Sequence, residues 1–419
     1  MNAQPQLHTY DFIPADTLFC RDQKPLAAGH SFGRGANWPL PTVLHSAIRT
    51  ALLAANGGLP QRKSKLGRPH KGKPRMVAST DYQWLNLRGP FPVDENGVTY
   101  FPRPLDLVPG KNKTMLRLQV SANAGQNNLP TPLTHLLTNP GEPSKEEMPA
   151  WVPLDFYNDY LAGNDLTLPA EFPMLWESEH RIGVAINPDT HTAAEGQLYA
   201  AEHLRLRDGV RLRFAISEDP HKKETADLAE KILQLGGEQR FGKVEKPADA
   251  LKLPEVNVTG TLIKWVLLTP AIFIRGWLPG WIDEKDGRVK LRAVDKATRA
   301  DRRRPRYADP NWSYDPQADK ATPIAAKLIA ACVGKPQVVG GWDDAPKPTY
   351  LAVPSGSVYY FQADSDADAQ LLVQSLQHRC KSDFFGEKGL GLGVCGTWQH
   401  QAEPTSGNVP DAATHSKTK

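Results

Sequence analysis

Two parts of this chain follow one plan. In the first, GVRLRFAI (residues 209–216) alternates Val210, Leu212, Phe214 and Ile216 with polar positions, the pattern of a half-buried strand. KKETADLAEKILQLGG then places Leu228, Ile232 and Leu235 on one face at helical spacing and ends on two glycines. That predicts a helix with a left-handed stop, followed by an extended EQRFGKVEK. In the second part, GSVYYFQ from Gly356 is a strand, and Ser365 to Asp368 forms an S-x-x-D helix start. Ala369, Leu372, Leu376 and Cys380 share a helix face before a glycine-rich break and a last strand.

Each copy has an upstream complement. Tyr10 to Cys20 is apolar and extended in parts, and PTVLHSAIRTALLAANGG from Pro41 is a helix with the stripe Leu44, Ile48, Ala51 and Leu52. VTGTLIKWVLLTP (258–270) supplies the first strand of the second copy, and PIAAKLIAAC from Pro323 a short helix. Strand, helix, two strands, helix, strand is the split βαβ plan, in which helices cover one face of an antiparallel sheet. The expected fold is therefore α+β, with two ferredoxin-like (RRM-like) domains, long insertions and a C-terminal glycine-rich loop. Boundaries fall at 1–247, 248–400 and a polar tail at 401–419, with KPADALKLPEVN as a Pro-bracketed linker. The sheet face without helices is expected to stay open for a partner or ligand.

Thirty-seven prolines in 419 residues predict many loops. WVLLTPAIFI, the most apolar run, is too short to cross a bilayer, and the N-terminus lacks the plan of a signal peptide, so a cytoplasmic location without membrane contact is expected. Cys20, Cys332, Cys380 and Cys395 never approach C-x-x-C spacing, which leaves reduced, mostly packed thiols. The formal net charge of +4 is small but unevenly spread. QRKSKLGRPHKGKPR (61–75) holds seven Lys or Arg and no acid, and KATRADRRRPRY (296–307) six against one Asp. Neither has an apolar period, so both read as surface loops, and together they favour a polyanion partner.

Gly391, Gly393 and Gly396 spell G-x-G-x-x-G, the spacing of a dinucleotide fingerprint. That fingerprint needs a strand before the glycines and a helix after them, and this loop has the reverse order. Two readings stay open: a backbone nest for sugar-phosphate, or a turn where a helix packs closely.

YDFIPADTLFCRDQKPL, WPLPTVLHSAIRTALL, RIGVAINPDTHTAAEGQLY, LQLGGEQRFGKVE, LLTPAIFIRGWLPGW, VGGWDDAPKPTYLAVPSGSVYYF and GLGLGVCGTW occur in this order along nearly the whole chain. With them the chain resembles the RAMP superfamily of CRISPR proteins, and within it the third subunit of type III-B (Cmr) effector complexes. Residues 56–76, 111–170 and 285–322 carry none of the resemblance. It implies a non-catalytic protein that holds the repeat-derived 5′ handle of the guide RNA (crRNA) and docks the large polymerase-like subunit. It also implies contact with the backbone RAMP subunit of the filament, with target RNA met only indirectly, and no cofactor.

Single-stranded RNA is gripped by cations along its backbone and by flat side chains against its bases. RDQKPLAAGHSFGRG (21–35) offers Arg21, Lys24, His30 and Arg34 beside Phe32. Arg49 flanks the apolar stripe of the first helix, and Arg181 opens a strand leading into a hairpin, where salt bridging and RNA contact are both open. Arg275, Trp277 and Trp281 suit either a base platform or a packed interface. Gly389, Gly391 and Gly393 complete the candidate RNA-binding set.

No catalytic or metal-binding residue is expected. GGWDD (340–344) approaches the GGDD hairpin of polymerases, but Trp342 breaks the spacing. H-E-x-x-H, Walker and G-x-S-x-G motifs are absent. The remaining enzyme reading is metal-independent RNA cleavage, with His30 or His45, Tyr10 and Lys24 as base, acid and cation. A purely structural scaffold is the other alternative.

Overall fold

The structure is a computed structural model. It describes residues 7–20, 36–55, 82, 85–111, 114–122, 127–142, 144–166, 172–187, 189–217, 227–293, 322–340, 342–343, 345–346 and 348–400. In chain order the main elements open with β1 (Leu7–Pro14), α1 (Pro41–Ala55), β2 (Asn86–Val93) and β3 (Tyr100–Pro102). There follow β4 (Trp151–Pro153), α2 (Leu154–Ala162), β5 (Trp176–Ile186), β6 (Ala193–Leu206), β7 (Arg211–Ser217), β8 (Ile232–Gln234) and β9 (Phe241–Glu245). The last third holds β10 (Leu262–Leu267), β11 (Ala326–Cys332), β12 (Val358–Ala363), α3 (Asp366–Leu376), β13 (Arg379–Cys380) and β14 (Leu392–Thr397).

Two antiparallel five-stranded sheets result, ordered β8-β9-β1-β7-β2 and β11-β12-β10-β14-β13. Within each, the four strands of the repeat lie in the order fourth, first, third, second. α1 joins the first and second strands of the first sheet, and α3 the third and fourth of the second. The mixed but mostly stranded chain is α+β.

Alternation builds the first sheet. Tyr10 and Phe12 on β1 stand opposite Phe214 and Leu212 on β7, and with Leu44, Ile48 and Leu52 of α1 they form one core. On β2, Gly89 and Pro90 together oppose the single residue Phe214, a bulge that flips the strand's parity. Leu87 before it therefore joins the α1 core, while Phe91 after it joins the core beneath the second sheet.

Two predicted helices are strands. In the segment around Leu228 to Leu235, residues 218–226 lie outside the described residues, and Ile232–Gln234 pairs with β9 at the sheet edge. Leu228 and Leu235 are buried, but Ile232 is exposed and Leu233 takes the inward place, so period two prevailed over the helical spacing. Ala326–Cys332 is β11, paired with β12. Ala326, Leu328, Ile329 and Ala330 are all buried. A strand covered on both faces is apolar throughout, and periodicity alone does not separate it from a buried helix. Cys380, expected on the face of α3, belongs to β13.

The second sheet leaves no open face. Trp265, Tyr359 and Phe361 pack with α3 and Trp281 on one side. Val266, Tyr360 and Val394 pack on the other with Phe101, Phe156, Tyr157 and Tyr160 from the segment between β2 and β5. The expectation of a free sheet face is overturned because that long insertion, with β3, β4 and α2, covers it. Its anchor is the Asp106 carboxylate, which accepts hydrogen bonds from the Tyr160 and Tyr360 hydroxyls at 2.8 and 2.6 Å. Lys264 of β10 donates to the Tyr160 carbonyl at 2.6 Å, and its ammonium lies 3.6 Å from the centre of the Tyr160 ring.

Candidate nucleic-acid interface

Cys20 and Ala36, the described residues on either side of 21–35, meet backbone to backbone. The Ala36 amide donates to the Cys20 carbonyl at 2.6 Å, and Cys20 is buried beside Gly236. Arg21, Lys24, His30 and Arg34 lie outside the described residues. Phe19 stacks on His203 of β6 at 5.0 Å, and Leu18 bridges Leu204 through paired backbone hydrogen bonds. The root of the stretch is thus fastened to the foot of the β5–β6 hairpin.

That hairpin pairs Trp176 with Leu206 and continues to Ile186 opposite Ala193. Ile182, Val184 and Ile186 recur at period two along β5 and all three are exposed. At the foot, Asp16 accepts from Arg181 at 2.9 Å and from Arg205 and Arg240 at 3.1 Å. Glu179 takes the other side of Arg181 at 2.6 Å and pairs with Arg205 as well. The hydrogen bond from Arg181 holds the Asp16 carboxyl below the usual carboxylate range, and those from Arg205 and Arg181 do the same for Glu179. Of the two readings left open for Arg181, the ion pair is the one its geometry shows. Asp16, Arg205 and Arg240 escaped sequence reasoning because up to 224 residues separate the partners.

The glycine turn is a packing device. Gly389 is buried against Pro41 and the Leu87 carbonyl, and the Gly391 amide donates to the Pro270 carbonyl at 2.8 Å. A Cβ on Gly393 would collide with the Trp265 indole, and one on Gly396 would sit 2.6 Å from the Leu161 carbonyl of α2. Leu390 donates to Phe385 and Leu392 to the Thr269 hydroxyl, so the amides converge on the protein, not on an anion. Of the two readings of Gly389, Gly391 and Gly393, the close-packed turn is the one the geometry shows.

Arg275 donates to the Ile282 carbonyl at 2.9 Å and pairs with Glu284 at 3.4 Å. Trp277 packs partly buried against the α3 core, and Trp281 is buried against Phe361. Both indoles pack on the core, Trp281 buried and Trp277 partly exposed. Arg49 is half-buried on α1 near His45. Burial, reinforced by Lys388 and Arg49, holds His45 down at about 4, with Nε2 3.3 Å from the Leu85 carbonyl. Tyr10 is buried too, stacked on Phe214. Both His45 and Tyr10 are thus buried side chains. Among the described residues no three His, Cys, Asp or Glu gather as a metal site, and no helix is long and apolar enough to cross a membrane.

The family described as CRISPR-associated protein (Cas_Cmr3) matches residues 10–398, from β1 through the end of β14. The chain belongs to the Cas_Cmr3 family. Solved structures similar to it include a chain of the type III-B Cmr-beta complex bound to cognate target RNA. That chain is 15% identical, with a TM-score of 0.41, over 84% of this chain and 86% of the other. A second Cmr-beta structure, bound to target RNA and AMPPnP, gives 14%, 0.40, 88% and 90%. A Csm3-Csm4 subcomplex of the type III-A interference complex gives 14%, 0.34, 86% and 93%. No curated protein matches the chain.

Proposed function

We propose that this Cas_Cmr3 protein is a non-catalytic RNA-binding subunit of a type III-B CRISPR ribonucleoprotein. It holds the 5′ handle of the crRNA and docks the large polymerase-like subunit and the backbone RAMP subunit. The observation that carries the reading is the family match across both sheets, 10–398. Two ferredoxin-like domains, 1–247 and 248–400, fit the shared strand order of the sheets. The 21–35 stretch supplies Arg21, Lys24, His30 and Arg34 to the handle from a root fixed at Cys20 and Ala36. Burial of His45 and Tyr10 counts against the RNA-cleaving alternative.

The assembled complex purified from its host, carrying guide RNA with a photoreactive 5′ end, tests the reading. An adduct on this chain, with the large subunit copurifying, is the expected result. A complex whose guide terminus crosslinks only to other subunits would leave this chain a scaffold. Handle-sized products from labelled repeat RNA in EDTA would overturn the non-catalytic reading.

A further inference from the structure

Arg88 on β2 is half-buried and forms no hydrogen bond or ion pair among the described residues. Other inward-facing arginines are matched: Arg213 by Asp11, Arg103 by backbone carbonyls, Arg181 by Asp16 and Glu179. A partly desolvated guanidinium without an acceptor is costly, and burial pulls the Arg88 cation below its usual pKa.

Further cations gather along the same seam, where the two sheets meet. The turn Gly386–Lys388 packs on both β2 and α1, since Gly389 sits against Leu87 and Pro41. Lys388 and Arg49 both bear on His45 from there. At the other end, Arg88 and the exposed Arg379 of β13 both bear on His378. His378 is held below its usual value chiefly by burial, against a hydrogen bond to the Pro254 carbonyl and the charge of Glu255. Arg49, Lys388, Arg88 and Arg379 thus line the seam from α1 to β13, with Glu387 and Glu255 as the acids beside them.

We propose that this seam binds the phosphate backbone of single-stranded RNA, with the Arg88 guanidinium as its central contact and Arg379 and Lys388 flanking it. A planar guanidinium offers paired N–H donors matched to phosphate oxygens, and an anion would compensate a half-buried cation that has no partner among the described residues. The contact reads no base, so it positions any strand laid along it. The proposal rests on the reading of this chain as a guide-holding subunit and names a second grip on that guide, outside the 21–35 stretch.

Binding of the purified protein to two RNAs of equal length, the 5′ handle and a scrambled sequence, tests it across a salt titration. Arg88→Gln is expected to weaken both RNAs about tenfold and to lower the salt slope by about 0.7. Arg88→Lys is expected to recover most of the slope. Arg379→Gln, on the exposed end of β13, gives an independent measurement should Arg88→Gln fail to fold. Unchanged affinity and slope in the folded variants would overturn the seam while leaving handle recognition intact. Equal wild-type affinity for the two RNAs, with the Arg88 effect preserved, would instead sustain the seam and remove handle recognition. Binding of neither RNA would overturn both.

Discussion

Asp11 and Arg213 meet across the first sheet as a buried bidentate pair, Nε to Oδ1 at 2.7 Å and Nη2 to Oδ2 at 2.8 Å. Arg211 stands behind them, 3.8 Å from the same carboxylate. The pair lies on the face away from α1, where the sheet turns toward the linker, and the Leu251 amide donates to Thr9 on that side. Asp11→Ala leaves a buried guanidinium without its acceptor and is expected to cost about 3–5 kcal/mol in denaturant unfolding. Replacing both partners with apolar residues of similar size is expected to cost far less. A loss below about 1 kcal/mol for the single variant would show that water reaches the pair.

Gly393 and Trp265 define how closely β14 and β10 approach. Gly393 lies in a strand, and its backbone would tolerate a side chain, but the Cβ would collide with the indole. Gly393→Ala is expected to cost about 1–3 kcal/mol through overpacking. Gly97 makes the control: its φ of +82° is left-handed and nothing lies near it. Gly97→Ala should show only the backbone cost of about 1–2 kcal/mol, and Trp265 fluorescence should change in the Gly393 variant alone.

How much of this was legible depended on how local the cause is. Ser365 announces α3 because its hydroxyl caps the Asp368 amide at 3.1 Å, three residues away. Leu44, Ile48 and Leu52 announce α1 because one face meets one core. Ala326–Cys332 was misread because both of its faces are covered, which erases the alternation. The hairpin foot was invisible because Asp16 collects arginines from β5, β6 and the turn before β9. Arg88 was missed because its distinction is the lack of a partner among the described residues, which no local pattern encodes. The glycine turn was legible as a turn, while its role in packing depended on Trp265 and Leu161, far away in the chain.

Lys264 gives the fold a pH dependence of predictable sign. Burial lowers its pKa from 10.5 to about 7, against the attraction of Asp106. Between about pH 7 and 9 the unfolded chain binds the proton that the folded chain has released, so stability rises with pH in that window. Below pH 7 both states carry the charge and the slope from this group vanishes. Lys264→Met is expected to flatten the rise, as measured by urea unfolding at pH 7, 8 and 9. An identical slope in the variant would show that Lys264 stays charged beneath Tyr160.

The last prediction concerns the loop rooted at Cys20 and Ala36. Arg21→Ala with Lys24→Ala removes two cations without touching the Leu18–Leu204 bridge or the Phe19–His203 stack that hold the root. Guide retention is expected to weaken, and the salt slope to fall by about 1.4 if each cation meets one phosphate. Arg181→Ala acts differently, since it removes one ion-pair partner of Asp16 and Glu179 at the hairpin foot, which keep Arg205 and, for Asp16, Arg240. It should lower thermal stability slightly, because the pairs are partly exposed, while leaving the salt slope unchanged. The split between the two variants, slope against stability, separates a cation that touches RNA from one that holds the hairpin. A fall in slope for Arg181→Ala would return that residue to the RNA interface.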